Sequence, residues 1–389
     1  MFGGCAGWCA PKVDPNDRRQ VDISRLPKLP RRLSFLLPKT SAIPEGLGNT
    51  YGGGFKLLKH GTHCDIYSNH KCTIKAIPLK RLRSAFEQDF ELLNAAAGHT
   101  PPIDYAGPIA HPCRVYDARI LATVAFKHSN IVTLKDLEMN QDCLFVILEA
   151  LTGPSLPAKV DAWESANTVP SEVELARVFT QMLSAIQHLH SFRIVHRTLS
   201  SHKWVFTDPQ AVTLKLVDYA QAVQLGPSDA GYIENQGGSD KHLVGNAYYH
   251  APEILTDRFW SFASDVWSLG VIFYEVIFSG AMPFFTRNAR DIGRAIVSIP
   301  PEINDDDVSP DLKAVIISIL CKNYRERPTC ENLLKLPWFI NTEQSTSSYK
   351  RNSTSIRSFR MPQPTRSTEN QNPDDMDVGQ SSGIGYTEY

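Results

Sequence analysis

Ile194-Val195-His196-Arg197-Thr198-Leu199-Ser200-Ser201-His202-Lys203-Trp204-Val205-Phe206, followed by Leu214-Lys215-Leu216-Val217-Asp218-Tyr219-Ala220, is the stretch that decides the fold. Upstream of it lies a helix. Ser171-Glu172-Val173-Glu174 is a capping box, and apolar residues then recur at helical spacing at Val173, Leu175, Val178, Phe179, Met182, Leu183, Ile186 and Leu189. Downstream come Ala251-Pro252-Glu253 and then Asp265-Val266-Trp267-Ser268-Leu269-Gly270, which opens an apolar run to Phe278. Arg325-Glu326-Arg327-Pro328-Thr329 closes the series. Far upstream, Cys72-Thr73-Ile74-Lys75-Ala76-Ile77 reads as a strand, and Cys143–Leu148 as a buried one.

These pieces resemble a protein kinase in order and spacing. Lys75 stands where kinases carry V-A-I-K, His196-Arg197-Thr198 where they carry H-R-D, and Asp218-Tyr219-Ala220 where they carry D-F-G. Ala251-Pro252-Glu253 is an intact A-P-E. Six matches in order are far more specific than one. The resemblance implies an α+β, bilobal protein-kinase-like fold, with a small mostly β N-lobe and a larger helical C-lobe. The expected boundaries are a disordered segment at 1–45, a kinase-like domain at 46–340 divided near 150, and a disordered tail at 341–389. Residues 84–113 read as an insertion rich in Ala, Gly and Pro. It also implies structural roles for Asp265, which supports the loop backbone, and for Glu253 paired with Arg327.

The residues that handle phosphate depart from that pattern. Of the phosphate-covering G-x-G-x-x-G, the stretch Lys59-His60-Gly61-Thr62-His63-Cys64 keeps only Gly61. The catalytic aspartate is replaced by Thr198, whose hydroxyl is no carboxylate base near neutral pH. The metal-binding asparagine is replaced by Lys203, a cation that repels Mg²⁺. Asp117 to Val124 is the best match for the helix that in kinases supplies a glutamate to pair with the lysine at the position of Lys75. Lys75 and Asp218 remain as a nucleotide remnant. The expectation is therefore a pseudokinase, not an enzyme, with no required cofactor, no metal and only weak, metal-independent ATP binding. Two alternatives stay open: an atypical protein kinase with a relocated base, and an ATP-binding, nucleotide-gated switch.

Finer motifs resemble the Tribbles family. Lys75-Ala76-Ile77-Pro78-Leu79-Lys80 is similar to its K-V-F-P-I-K, His128-Ser129-Asn130-Ile131 to its H-S-N-I, Lys203-Trp204-Val205-Phe206 to its K-F-V-F, and Asp240-Lys241-His242 to its D-K-H. Leu333-Leu334-Lys335-Leu336-Pro337-Trp338-Phe339 resembles L-L-H-P-W-F, associated in that family with docking MAP-kinase kinases. Family members usually keep the catalytic aspartate and alter D-F-G, the reverse of Thr198 with Asp218. Their ligase-recruiting D-Q-x-V-P has its nearest counterpart in Asp375-Met376-Asp377-Val378-Gly379, without the Gln or the Pro. The resemblance implies an adaptor or scaffold. Its expected partners are MAP-kinase kinases or other MAPK-pathway proteins, bZIP transcription factors of the CCAAT-enhancer-binding type, and a RING-type ubiquitin ligase.

Composition bounds the remaining classes. Lys+Arg 40 against Asp+Glu 41 leaves a formal charge of −1, so no global field draws the chain to nucleic acid or an anionic membrane. Eight cysteines without a C-x-x-C pair read as reduced thiols. No apolar run is long enough to span a bilayer, and the expected location is cytoplasm or nucleus. Arg31-Arg32-Leu33-Ser34 makes Ser34 a candidate phosphorylation site.

Overall fold

In the computed structural model the described residues are 43, 45–60, 64–78, 128–139, 143–219, 221–226, 231–234, 245–284, 286, 291–303 and 308–341. Gly61, Ser34, the insertion at 84–113, Asp117 to Val124, Asp240-Lys241-His242, and Asp375 with Val378 lie outside them. Helix α1 (Glu45–Tyr51) precedes five strands: β1 (Lys56–His60), β2 (Asp65–Ser68), β3 (Cys72–Pro78), β4 (Leu134–Met139) and β5 (Cys143–Glu149). They form one sheet in the order β1-β2-β3-β5-β4, with every pairing antiparallel.

Strand alternation sorts the side chains onto two faces. Ile74, Ala76, Phe145 and Ile147 face a small core that includes Leu47 of α1. Ile77, Leu144, Val146 and Leu148 face the main core shared with the helical lobe. Lys75, opposite Val146 in the register, is on the second face and is directed at the other lobe. Tyr51 anchors α1 by donating its hydroxyl to Asp136 Oδ2 at 2.5 Å.

The second lobe begins with α2 (Leu156–Ser165) and α3 (Glu172–Ser191). The capping box forms at the start of α3: the Glu174 amide donates to Ser171 Oγ, and the Ser171 amide donates to Glu174 Oε2. Short strands follow within this mainly helical lobe: β6 (Ile194–Val195), β7 (Trp204–Phe206), β8 (Leu214–Leu216), β9 (Val223–Gln224), β10 (Tyr232–Glu234) and, beyond α4 (Pro252–Thr256), β11 (Phe259–Ser261). At two or three residues each, they are too short to carry a readable period. The remaining helices are α5 (Phe262–Ile277), α6 (Ile292–Ser298), α7 (Pro310–Ile319), α8 (Cys330–Leu334) and α9 (Pro337–Asn341).

Helix α5 is buried along most of its length, as its apolar composition demands. Phe273 stacks on Phe179 of α3 with ring centroids 3.8 Å apart. Against α7 the helices approach so closely that a Cβ at Gly270 would lie 2.2 Å from Ile319 Cγ2. None of the helices among the described residues is long and apolar enough to cross a membrane.

Of the expected docking stretch, Leu333, Trp338 and Phe339 are buried, Leu333 completely. They are consumed in packing α8 and α9 onto the lobe: Trp338 donates its indole N–H to Glu172 Oε2 at 2.7 Å, and Leu334 lies half-buried against the same core.

Glu253 and Arg327 meet in the core as a bidentate pair at 2.8 and 3.1 Å, and Arg327 also donates to the Ala263 and Cys321 carbonyls. Ser264 adds a third donor to Glu253 at 2.9 Å. Arg327→Met would leave the carboxylate buried without its cation. A loss of about 3–5 kcal/mol is expected from urea unfolding, while Lys335→Met in the exposed Glu331–Lys335 pair should leave the unfolding midpoint essentially unchanged.

Candidate active site

The loop from His196 to Lys203 hangs between β6 and β7, and its backbone is fixed from below. Asp265, in the first turn of α5, accepts the His196 amide on Oδ2 at 2.8 Å and the Arg197 amide on Oδ1 at 2.9 Å. His190 Nε2 lies 3.1 Å from the same Oδ2. This grip holds Arg197 at φ +73°, a left-handed conformation costing about 1–3 kcal/mol for a residue with a side chain. Arg197 then lays its guanidinium over the Trp260 ring, 4.5 Å from its centroid. Burial there pulls its pKa down to about 10, against the pull of Asp265.

Strand pairing brings the distant residues together. Trp204 opposes Leu216 in the β7–β8 register, and the Val217 amide donates to the Lys203 carbonyl at 3.0 Å. Lys203, ending a 3₁₀ turn at Ser201–Lys203, therefore stands beside Asp218. Its Nζ is 3.2 Å from Asp218 Oδ2 and donates to Thr198 Oγ1 at 2.5 Å. From the sheet above, Lys75 Nζ reaches Asp218 Oδ1 at 3.4 Å and the Val217 carbonyl at 3.3 Å. Of the sequence-predicted site residues, Lys75, Thr198, Lys203 and Asp218 thus form one cluster at the junction of the lobes.

Burial would raise the Asp218 pKa, but the ammonium groups of Lys203 and Lys75 outweigh it and hold the carboxyl well below its usual range. His196, wholly buried beneath the loop, is pushed down to about 4 by desolvation and by Lys203, and stays neutral. The donor set suits Mg²⁺ poorly. Both oxygens of Asp218 already face an ammonium group, and Lys203 takes the place of a neutral oxygen donor. The cluster carries two cations against one anion, which fits phosphate oxygens better than a metal.

Two features escaped the sequence reading. Glu275 sits on α5 below the loop, accepting from Ser201 Oγ at 2.7 Å and from Tyr249 Oη at 2.8 Å. Burial raises its pKa, with those two hydroxyls acting in the opposite direction. A lone carboxylate inside an otherwise apolar run was the signal. The second is Lys215 of β8, which pairs with Glu149 at the end of β5 at 2.5 Å and so ties the two lobes behind the site. Nothing in local sequence marks that pair.

An antiparallel five-stranded sheet set over a helical lobe, with a strand lysine meeting the carboxylate after β8, defines a kinase-type fold. The chain belongs to the protein kinase family: the profile described as "Protein kinase domain" matches residues 116–339. It is 28% identical to CDPK-related kinase 7 of Arabidopsis thaliana over 221 residues, covering 56% of this chain and 36% of that protein. It is 33% identical to CDPK-related kinase 4 of the same plant, covering 54% of this chain and 34% of the relative. The calcium/calmodulin-dependent serine/threonine-protein kinase 1 of Oryza sativa subsp. japonica is 28% identical over 232 residues, 59% of this chain and 36% of that one. The chain spans about a third of the length of these relatives. Among solved structures, the autoinhibited serine kinase domain of titin superposes with a TM-score of 0.58 at 19% identity, over 78% of this chain and 85% of that one.

The kinase names of these relatives overturn the expectation of a non-enzyme. A missing base does not by itself remove the reaction. General-base help is worth about 10²–10⁴-fold, and phosphoryl transfer rests mainly on positioning and charge stabilisation. Thr198 and Lys203 alter the site of a kinase rather than take the chain out of the class. The Tribbles likeness, unlike the kinase one, finds no counterpart among these relatives.

The depressed Asp218 pKa gives a stability contribution that is present above the unfolded value near 3.9 and is lost as pH falls through the folded one. Lys203→Met should move the Asp218 pKa upward in a carboxyl-carbon NMR titration and reduce the stability lost on acidification below the unfolded value. An unchanged titration in that variant would mean that Lys203 does not govern the charge of Asp218.

Proposed function

We propose that the chain is an atypical protein kinase domain that holds ATP without a resident metal and transfers its terminal phosphoryl group to a serine or threonine of a protein. The observation that carries this reading is the fork of Lys75 and Lys203 around Asp218, at 3.4 and 3.2 Å, where the lobes meet. Two ammonium groups there neutralise the β- and γ-phosphates, a task that other kinases divide between a lysine and Mg²⁺. Thr198 leaves the acceptor hydroxyl without a carboxylate base. Turnover is then limited to roughly 10²–10⁴-fold below an ordinary kinase.

The expected partners enter as clients of this domain: MAP-kinase kinases, bZIP factors of the CCAAT-enhancer-binding type, and a RING-type ligase. With Leu333, Trp338 and Phe339 packed inside, their docking would fall to other surfaces, including the segment with Asp375 and Val378. Affinity purification with full-length protein beside a chain ending at residue 341 separates these routes.

Transfer of radiolabel from γ-labelled ATP to a serine/threonine peptide mixture tests the activity. The wild type should transfer slowly and keep that rate in EDTA, and Lys75→Ala should abolish it. ATP should also stabilise the wild type by about 2.7 kcal/mol at a hundredfold excess over Kd. Transfer that survives Lys75→Ala, or requires Mg²⁺ absolutely, would refute the metal-free reading.

A further inference from the structure

We propose that Thr198 is itself a phosphoacceptor, modified in cis by the nucleotide bound at the same site, an inference that rests on the kinase reading above. Its hydroxyl occupies the place of a carboxylate and accepts a 2.5 Å hydrogen bond from Lys203 Nζ. Lys203 in turn lies 3.2 Å from Asp218, whose other oxygen meets Lys75 at 3.4 Å. The hydroxyl therefore stands one lysine away from the groups that would hold the γ-phosphate.

No outside enzyme could reach this hydroxyl. Thr198 is only 8% exposed, and Gly245, which opens the described segment leading to Ala251-Pro252-Glu253, lies so near that an added Cβ would be 3.1 Å from Thr198 Cγ2. Through Lys203 the hydroxyl is tied to Asp218 at the lobe junction, where the nucleotide would lie. The proximity converts a two-body step into an internal one.

The step balances without a further reactant. The bond between the γ-phosphorus and the β,γ-bridging oxygen breaks, and its electron pair leaves with ADP. Thr198 Oγ1 bonds to the phosphorus, and its proton passes to a γ-phosphoryl oxygen and then to solvent. Lys203 donates to Oγ1 and is paired with Asp218, so it stabilises charge rather than accepting that proton. The product carries about −1.5 to −2 at neutral pH beside two lysines, which returns an anion to the position where kinases carry aspartate. Phosphorylation at Thr198 would thereby supply the missing negative charge.

The test is tandem mass spectrometry of full-length protein after incubation with γ-labelled ATP in EDTA, with the modified residue located by fragmentation. The expected result is label on Thr198, accumulating at a rate per molecule independent of protein concentration. Thr198→Ser should retain the label and Thr198→Val lose it. Lys203→Met should slow it by about tenfold or more, the effect of losing one charge-assisted hydrogen bond. Mapping on the wild type decides the matter even where a variant does not fold. Peptide phosphorylation with Thr198 unlabelled would overturn this inference and leave the kinase reading standing. A labelling rate per molecule that rises with protein concentration would overturn the in-cis step. Neither stabilisation by ATP nor transfer to any acceptor would bring down both.

Discussion

The carboxylate of Asp265 is sunk at the start of a helix that is itself buried, and the architecture of the site depends on it. A lone buried carboxylate is costly. Here two consecutive backbone amides and His190 converge on it, so desolvation is offset by directed hydrogen bonds. The same contacts force the turn at Arg197 into its left-handed conformation. Once that turn is set, the positions of Thr198 and of the 3₁₀ turn ending in Lys203 follow. Glu275, one face further along the same helix, repeats the device by holding Ser201. Helix α5 is thus a hydrophobic post with two carboxylates that suspend the loop above it.

Charge at the lobe junction is shared between two ammonium groups and one carboxylate. Asp218 is shared between a lysine from the sheet and a lysine from the loop, so it bridges the lobes instead of standing open for a divalent cation. Behind it, Lys215 and Glu149 make a second bridge between β8 and β5. Electrostatic cross-links of this kind strengthen as water is excluded. The junction is therefore held by ion pairs on two sides, while packing around Phe179, Phe273 and Trp338 holds the helical lobe below.

The altered residues at 198 and 203 leave the chain within the protein kinase family. Phosphoryl transfer draws most of its acceleration from fixed charges and geometry, and fixed cations are what the cluster supplies.

Local pattern alone gave the main elements: the capped helix through Leu189, the strand bearing Lys75, the buried run from Val266, and the order of motifs that specifies a kinase fold. These are local patterns of period, capping and spacing, and each is decided within a few residues of itself. Only the tertiary structure decided that Lys203 bonds to Thr198 and shares Asp218 with Lys75, that Arg197 lies on Trp260, and that Trp338 and Phe339 are buried rather than offered to a partner. Each of those outcomes depends on which groups meet across long separations in the chain. Strand register, the Asp265 contacts and the packing of α8 and α9 set those meetings, and no local pattern encodes them.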